Sequence, residues 1–164
     1  MIFSVLKAAI DEATKRISDY LQPFGYTINI VIDEPLAEPI LGMYESGSVF
    51  TKEITVFVQT NNIIDTCSKD HIKDRYSDPE VQTRITIYHE VGHALVEQII
   101  DWMENIPEIN DLCNGEFGKR HAEVIEDDTD EEILVEDFAY GIEDNKETPL
   151  SACWREMNQF ISES

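Results

Sequence analysis

The longest helical pattern in the chain opens at Asp78-Pro79-Glu80, and the rest of the sequence has to pack around it. Asp78 can cap the free amides of a first turn, and Pro79 fits there because its missing N–H would have no partner. The pattern predicts a helix from Pro79 to about Met103 or Glu104. In its middle stands His89-Glu90-Val91-Gly92-His93. Histidines four apart project from one helix face with Cβ atoms about 5 to 6 Å apart, close enough to share one zinc ion. Glu90 lies beside that face, where a carboxylate can take a proton from zinc-bound water and pass it to a leaving amine.

Two histidines at helical spacing can also be ordinary surface residues, and three features weigh against that here. Ile85, Val96 and Ile100 continue the stripe with apolar side chains, so the imidazoles should be sheltered. Sheltered imidazoles need partners. Gly92 is a poor helix former in mid-helix, and its missing side chain would let another element approach closely.

The remaining pattern is α+β. Apolar residues at three-and-four spacing predict a helix from Ile2 to Leu21, ended by Pro23 and Gly25. Alternation predicts a half-buried strand from Tyr26 to Asp33 and another from Lys52 to Gln59, where Ile54, Val56 and Val58 share a face. Pro35 to Gly42 reads as an irregular connection with room for a short strand; from Thr60 the pattern is ambiguous, Asn61-Asn62 breaks the strand, and Ser68 to Tyr76 stays open between loop and short helix. From Pro107 a long connection follows, with a short strand at His121 to Ile125 as one option. Thr129 with Glu132 forms a capping-box pattern before a helix carrying Ile133, Leu134, Val135, Phe138 and Ile142. Thr148-Pro149 opens a last helix through Trp154, Met157, Phe160 and Ile161. With 164 residues the expectation is one domain spanning 1–164.

A catalytic zinc usually takes three protein ligands and keeps one position open, so a third donor is needed. Glu132 is the leading candidate, because Glu132, Glu136 and Tyr140 recur at four-residue intervals beside an apolar stripe that can pack on the long helix. Glu131 and Asp137 point elsewhere on that helix and read as solvated. His121 competes as a ligand or substrate-side histidine, but Gly118-Lys119-Arg120-His121 is a turn-like basic run without a second patterned residue. His71 sits among charges and reads as exposed.

The run His89-Glu90-Val91-Gly92-His93, followed by Glu132-Ile133-Leu134-Val135-Glu136-Asp137-Phe138-Ala139, resembles the gluzincin zinc metallopeptidases, especially their compact minigluzincin and ImmA/IrrE-like members. Those proteins carry a Glu-x-x-Ala-Asp-x-Phe-Ala run; here Val135 replaces a small residue and Glu136 replaces Asp or Asn. The resemblance covers two helices. It implies a zincin-like fold, with a small, mostly antiparallel sheet packed on the long helix and helices at the C-terminus. It also implies Glu132 as the metal-binding glutamate and Glu136 as the acid that holds a ligand histidine. The alternative register lets Glu136 reach the metal and leaves Glu132 to its capping box. A sheet-edge strand beside the metal is a further implied feature, with Lys52 to Gln59 its candidate, although a buried core strand would have the same sequence. Tyr140 is a packing tyrosine or, facing the cleft, a stabiliser of an oxyanion.

Composition narrows the function classes. With 34 acidic against 12 basic residues the formal net charge is −22, which repels phosphates and makes nucleic acid an unsuitable ligand. Cys67, Cys113 and Cys153 are odd in number and widely spaced, as expected of reduced thiols rather than a disulfide framework. There is no signal-peptide pattern at the N-terminus and no run long enough to span a bilayer, so a cytoplasmic location without membrane partners is expected. The sequence thus predicts a zinc-dependent enzyme that hydrolyses a peptide or protein. Its rival is a zincin-scaffold binding or regulatory protein whose acidic surface engages a basic partner or mimics DNA.

Overall fold

Asp78 adopts an extended conformation, and its carboxylate accepts the N–H of Glu80 at 2.9 Å, so the long helix starts where its capping residue places it. In the computed structural model, which describes residues 2–33, 40–67, 78–112 and 128–163, this helix is α3, Pro79–Asn105. Ile106 turns extended and ends it. Pro107 then opens a short helix, α4 (Pro107–Leu112), in a stretch that reads from sequence as connection; a proline at the first position is as good a start here as at Pro79.

Helix α1 (Ile2–Leu21) buries Leu6, Ala9, Ile10, Ala13, Ile17 and Leu21 and packs on α3. A 3-10 turn at Gln22–Phe24 stops it, and Gly25, at φ 85°, reverses the chain into β1 (Thr27–Ile32). The next strands are β2 (Gly42–Tyr44) and β3 (Glu53–Val58), followed by α2 (Thr60–Cys67), a helix where the sequence from Thr60 onward reads ambiguously; the loop-or-helix reading of Ser68 to Tyr76 lies outside the described residues.

The sheet order is β1-β3-β2. β1 and β3 run parallel in full register, Thr27 opposite Glu53 through Ile32 opposite Val58. Among the described residues only the short pair, Gly42 opposite Val58 to Tyr44 opposite Val56, is antiparallel. The sheet is therefore mixed, where a mostly antiparallel one was expected. After β2 the chain turns back through Glu45 and a 3-10 segment at Ser48–Thr51, which inserts β3 between the two earlier strands. The matched rows of Ile28, Ile30, Ile32 and Ile54, Val56, Val58 make the parallel pairing the longer one. Ile54, Val56 and Val58 are fully buried, so Lys52 to Gln59 holds the central strand, and β2 is the edge that lies along α3.

Two further helices close the core. In α5 (Asp128–Asp144), Leu134, Val135, Phe138 and Ala139 are buried and pack the helix on α3. This helix begins at Asp128, so Thr129 lies within it and the capping-box reading of Thr129 with Glu132 is set aside. In α6 (Pro149–Glu163), Leu150, Cys153, Trp154 and Met157 are buried, and Ser151 Oγ accepts the N–H of Thr148 at 2.8 Å at its start. A shared core runs from Ile10 through the sheet and α3 to Trp154. Among the described residues no helix is long and apolar enough to cross a membrane.

Gly92 explains how α5 comes so near. A Cβ at this position would lie 3.1 Å from Val135 Cβ and 3.1 Å from Phe138 Cδ1, both on fully buried side chains with little room to yield. Gly92→Val is expected to destabilise the chain by about 1 to 3 kcal/mol through overpacking, despite removing a mid-helix glycine. Denaturant titration checks this, and an unchanged or raised midpoint would refute the close-packing account.

Candidate metal centre

His89 and His93 project from α3 toward α5, with side chains 19% and 12% exposed, so the sheltering read from their apolar neighbours is present. Their Nε2 atoms lie 3.2 Å apart. Glu132 on α5 meets both: Oε2 lies 3.1 Å from His89 Nε2, and Oε1 lies 2.9 Å from His93 Nε2. One ligand atom from each of the three residues falls within 4.8 Å of the others. The far side of each ring is also held. His89 Nδ1 lies 2.8 Å from Glu136 Oε2, and His93 Nδ1 lies 2.9 Å from Glu131 Oε2.

These distances fit a cation. If each Nδ1–H is donated to its carboxylate, both Nε2 atoms present lone pairs to each other and to Glu132. Three acceptors aimed at one point repel unless a proton or metal ion lies among them, and two imidazole nitrogens with a carboxylate oxygen suit zinc better than magnesium or calcium. The proton is the competitor. For His93, burial opposes the charged ring, but the hydrogen bond with Glu131 and the charges of Glu90 and Glu132 outweigh it and raise the pKa above its ordinary value.

Glu131 corrects the sequence reading, which had it solvated. α3 and α5 run antiparallel here, so the carboxylate that precedes Glu132 falls beside the later histidine while Glu136 falls beside the earlier one. Helical spacing within α5 alone cannot show this; the missing information is the direction in which the two helices cross. Asp137 is exposed, as read. Arg84 secures the far end of the same helix pair through Glu143, with Nη2 2.8 Å from Oε1.

On the opposite flank of the histidines, β2 covers Glu90. A Cβ on Gly42 would lie 2.6 Å from Thr86 Cγ2 and 3.5 Å from Glu90 Cγ, so only glycine lets the strand lie this close to α3. Burial raises the carboxyl of Glu90 above its usual range; His89, His93 and a hydrogen bond from the backbone N–H of Tyr44 oppose the rise, and Glu132 adds to it. The Tyr44 ring lies nearly parallel to that of His93, 10° apart with centroids at 6.1 Å. Neither Gly42 nor Tyr44 was singled out from sequence. Their stretch has too few residues in β conformation to produce an alternating pattern.

Tyr140 is partly buried against the core with its hydroxyl buried, and it shares a shallow cavity with Gly141, Thr148 and Pro149, a packing position. His121, His71 and the His121 to Ile125 strand reading lie outside the described residues. No protein-family model matches the chain, and comparison with curated proteins and with solved structures returned no significant match.

Proposed function

We propose that this chain is a zinc-dependent metallopeptidase in which His89, His93 and Glu132 hold the metal and Glu90 is the general base and acid. The observation that carries the reading is the convergence of His89 Nε2, His93 Nε2 and the Glu132 carboxylate, with a carboxylate on each remote ring nitrogen. Its motifs also resemble those of the gluzincins. Zinc, when bound, supplies Lewis acidity that makes water acidic near neutral pH and polarises a peptide carbonyl. Glu136 and Glu131 hold each imidazole with Nε2 toward the metal and make it a stronger donor. Glu90 accepts the proton of the attacking water on its carboxylate and delivers it to the amide nitrogen that leaves. Main-chain groups along the β2 edge can pair with an extended peptide.

One zinc per chain and metal-dependent cleavage of an unstructured protein such as casein are the expected results for purified chain. Absence of zinc after metal-replete preparation, by elemental analysis, would overturn the reading. Stoichiometric zinc without cleavage across a broad peptide library would favour instead a zincin-scaffold binding protein that uses its acidic surface, net −22, to engage a basic partner.

A further inference from the structure

One turn beyond His93 on α3 stands Glu97, whose carboxylate gathers three donors from a single short segment. The Tyr44 hydroxyl donates to Oε2 at 2.8 Å, the Ser46 hydroxyl donates to Oε2 at 3.0 Å, and the Gly47 backbone N–H donates to Oε1. A lone surface glutamate rarely collects so many, because each donor must give up water and the segment must be ordered to present them. Gly47, at φ 84°, is the left-handed residue that starts the turn from β2 back to β3, so the carboxylate grips the strand at its exit.

What the grip holds in place is functional under the zinc reading. Tyr44 is the shared member of three contacts: its hydroxyl on Glu97, its ring beside the His93 imidazole, and its backbone N–H on Glu90. β2 has only three residues paired to β3, a ladder too short to fix an edge strand firmly by itself. Thr86, Glu90, His93 and Glu97 lie on successive turns of α3, so β2 and its turn follow one stripe of the helix from Gly42 to Gly47.

We propose that Glu97 is a positioning residue: by anchoring Tyr44, Ser46 and Gly47 it holds the β2 edge so that Tyr44 orients Glu90 and stays seated against His93. The functional part of this assignment rests on the metallopeptidase reading; the anchoring does not. Glu97 touches no reacting atom and acts through Tyr44.

The test is NMR of the full chain, zinc-loaded and zinc-free, for wild type, Glu97→Gln and Tyr44→Phe. Glu97→Gln should keep the wild-type circular dichroism and zinc stoichiometry, yet speed amide exchange at Tyr44 and Gly47 by about tenfold or more, as loss of a charged acceptor allows. It should also shift the ring resonances of His93 while leaving those of His89 in place. Tyr44→Phe keeps the ring and loses one anchor, so it should speed exchange at Tyr44 less and leave Gly47 protected. Unchanged exchange and an unchanged His93 ring in Glu97→Gln would overturn the proposal, as would equal shifts in both histidines, which denote a general loosening. Should Glu97→Gln fail to fold, Tyr44→Phe decides alone, and wild-type exchange rates at Tyr44 would then count against the anchor. A wild type that binds no zinc defeats the metallopeptidase reading, whereas the zinc-free spectra still decide the anchoring.

Discussion

Glu90→Gln is expected to lower kcat by about 10²- to 10⁴-fold, the range that positioned proton transfer contributes, while zinc stays bound. The amide keeps the shape that fits beneath Gly42 and can still accept the N–H of Tyr44 through its oxygen, so the strand need not move. It cannot take a proton from water. Glutamine also removes one negative charge near the histidines, which should weaken zinc binding only slightly beside the direct loss of a ligand. Steady-state kinetics with parallel zinc analysis check this result. A variant that cleaves at the wild-type rate would exclude Glu90 as the base, and one that cleaves slowly because its zinc is gone would give Glu90 a different role.

The second large effect separates Glu131, Glu132 and Glu136 of α5. Glu132→Ala removes the carboxylate that, among the described residues, reaches both Nε2 atoms and should abolish stoichiometric zinc at micromolar metal, as should His89→Ala. Glu136→Ala and Glu131→Ala leave the three donor atoms in place and loosen one ring each, so about 10- to 100-fold weaker zinc affinity is expected for either. Competition against a chromophoric chelator gives the ranking. Retained zinc in Glu132→Ala with loss in Glu136→Ala would restore the alternative register, in which Glu136 is the ligand.

The longer helices and the histidine pair were legible because their determinants are local. Asp78-Pro79 marks a start whatever surrounds it, and four-residue spacing puts His89 and His93 on one face in any straight helix. The juxtaposition of Glu132 with them could be anticipated from an acidic stripe beside an apolar one, since the apolar residues Val135 and Phe138 fix which face of α5 meets α3. Sheet topology was less accessible. Strand sequences specify alternation and burial but carry little information on direction, so the parallel pairing of β1 with β3 and the edge position of β2 came only with the structure. The roles of Glu131, Tyr44 and Glu97 depend on how elements cross, and residues so used look like ordinary surface side chains along the chain. Thr129 was misleading for the opposite reason: its local capping pattern is sound, but the helix continues past it to Asp128.

Among the described residues, the carboxylates that meet the imidazole nitrogens, Glu131, Glu132 and Glu136, all come from α5, and that helix approaches α3 across a glycine. An ion held between the two helices would therefore fasten them together. Its binding free energy would be added to the packing of Val135 and Phe138, because the binding atoms are assembled only when the helices are docked. Metal supply would then set how firmly α5 is attached to α3, and the same ion would serve as both reagent and rivet.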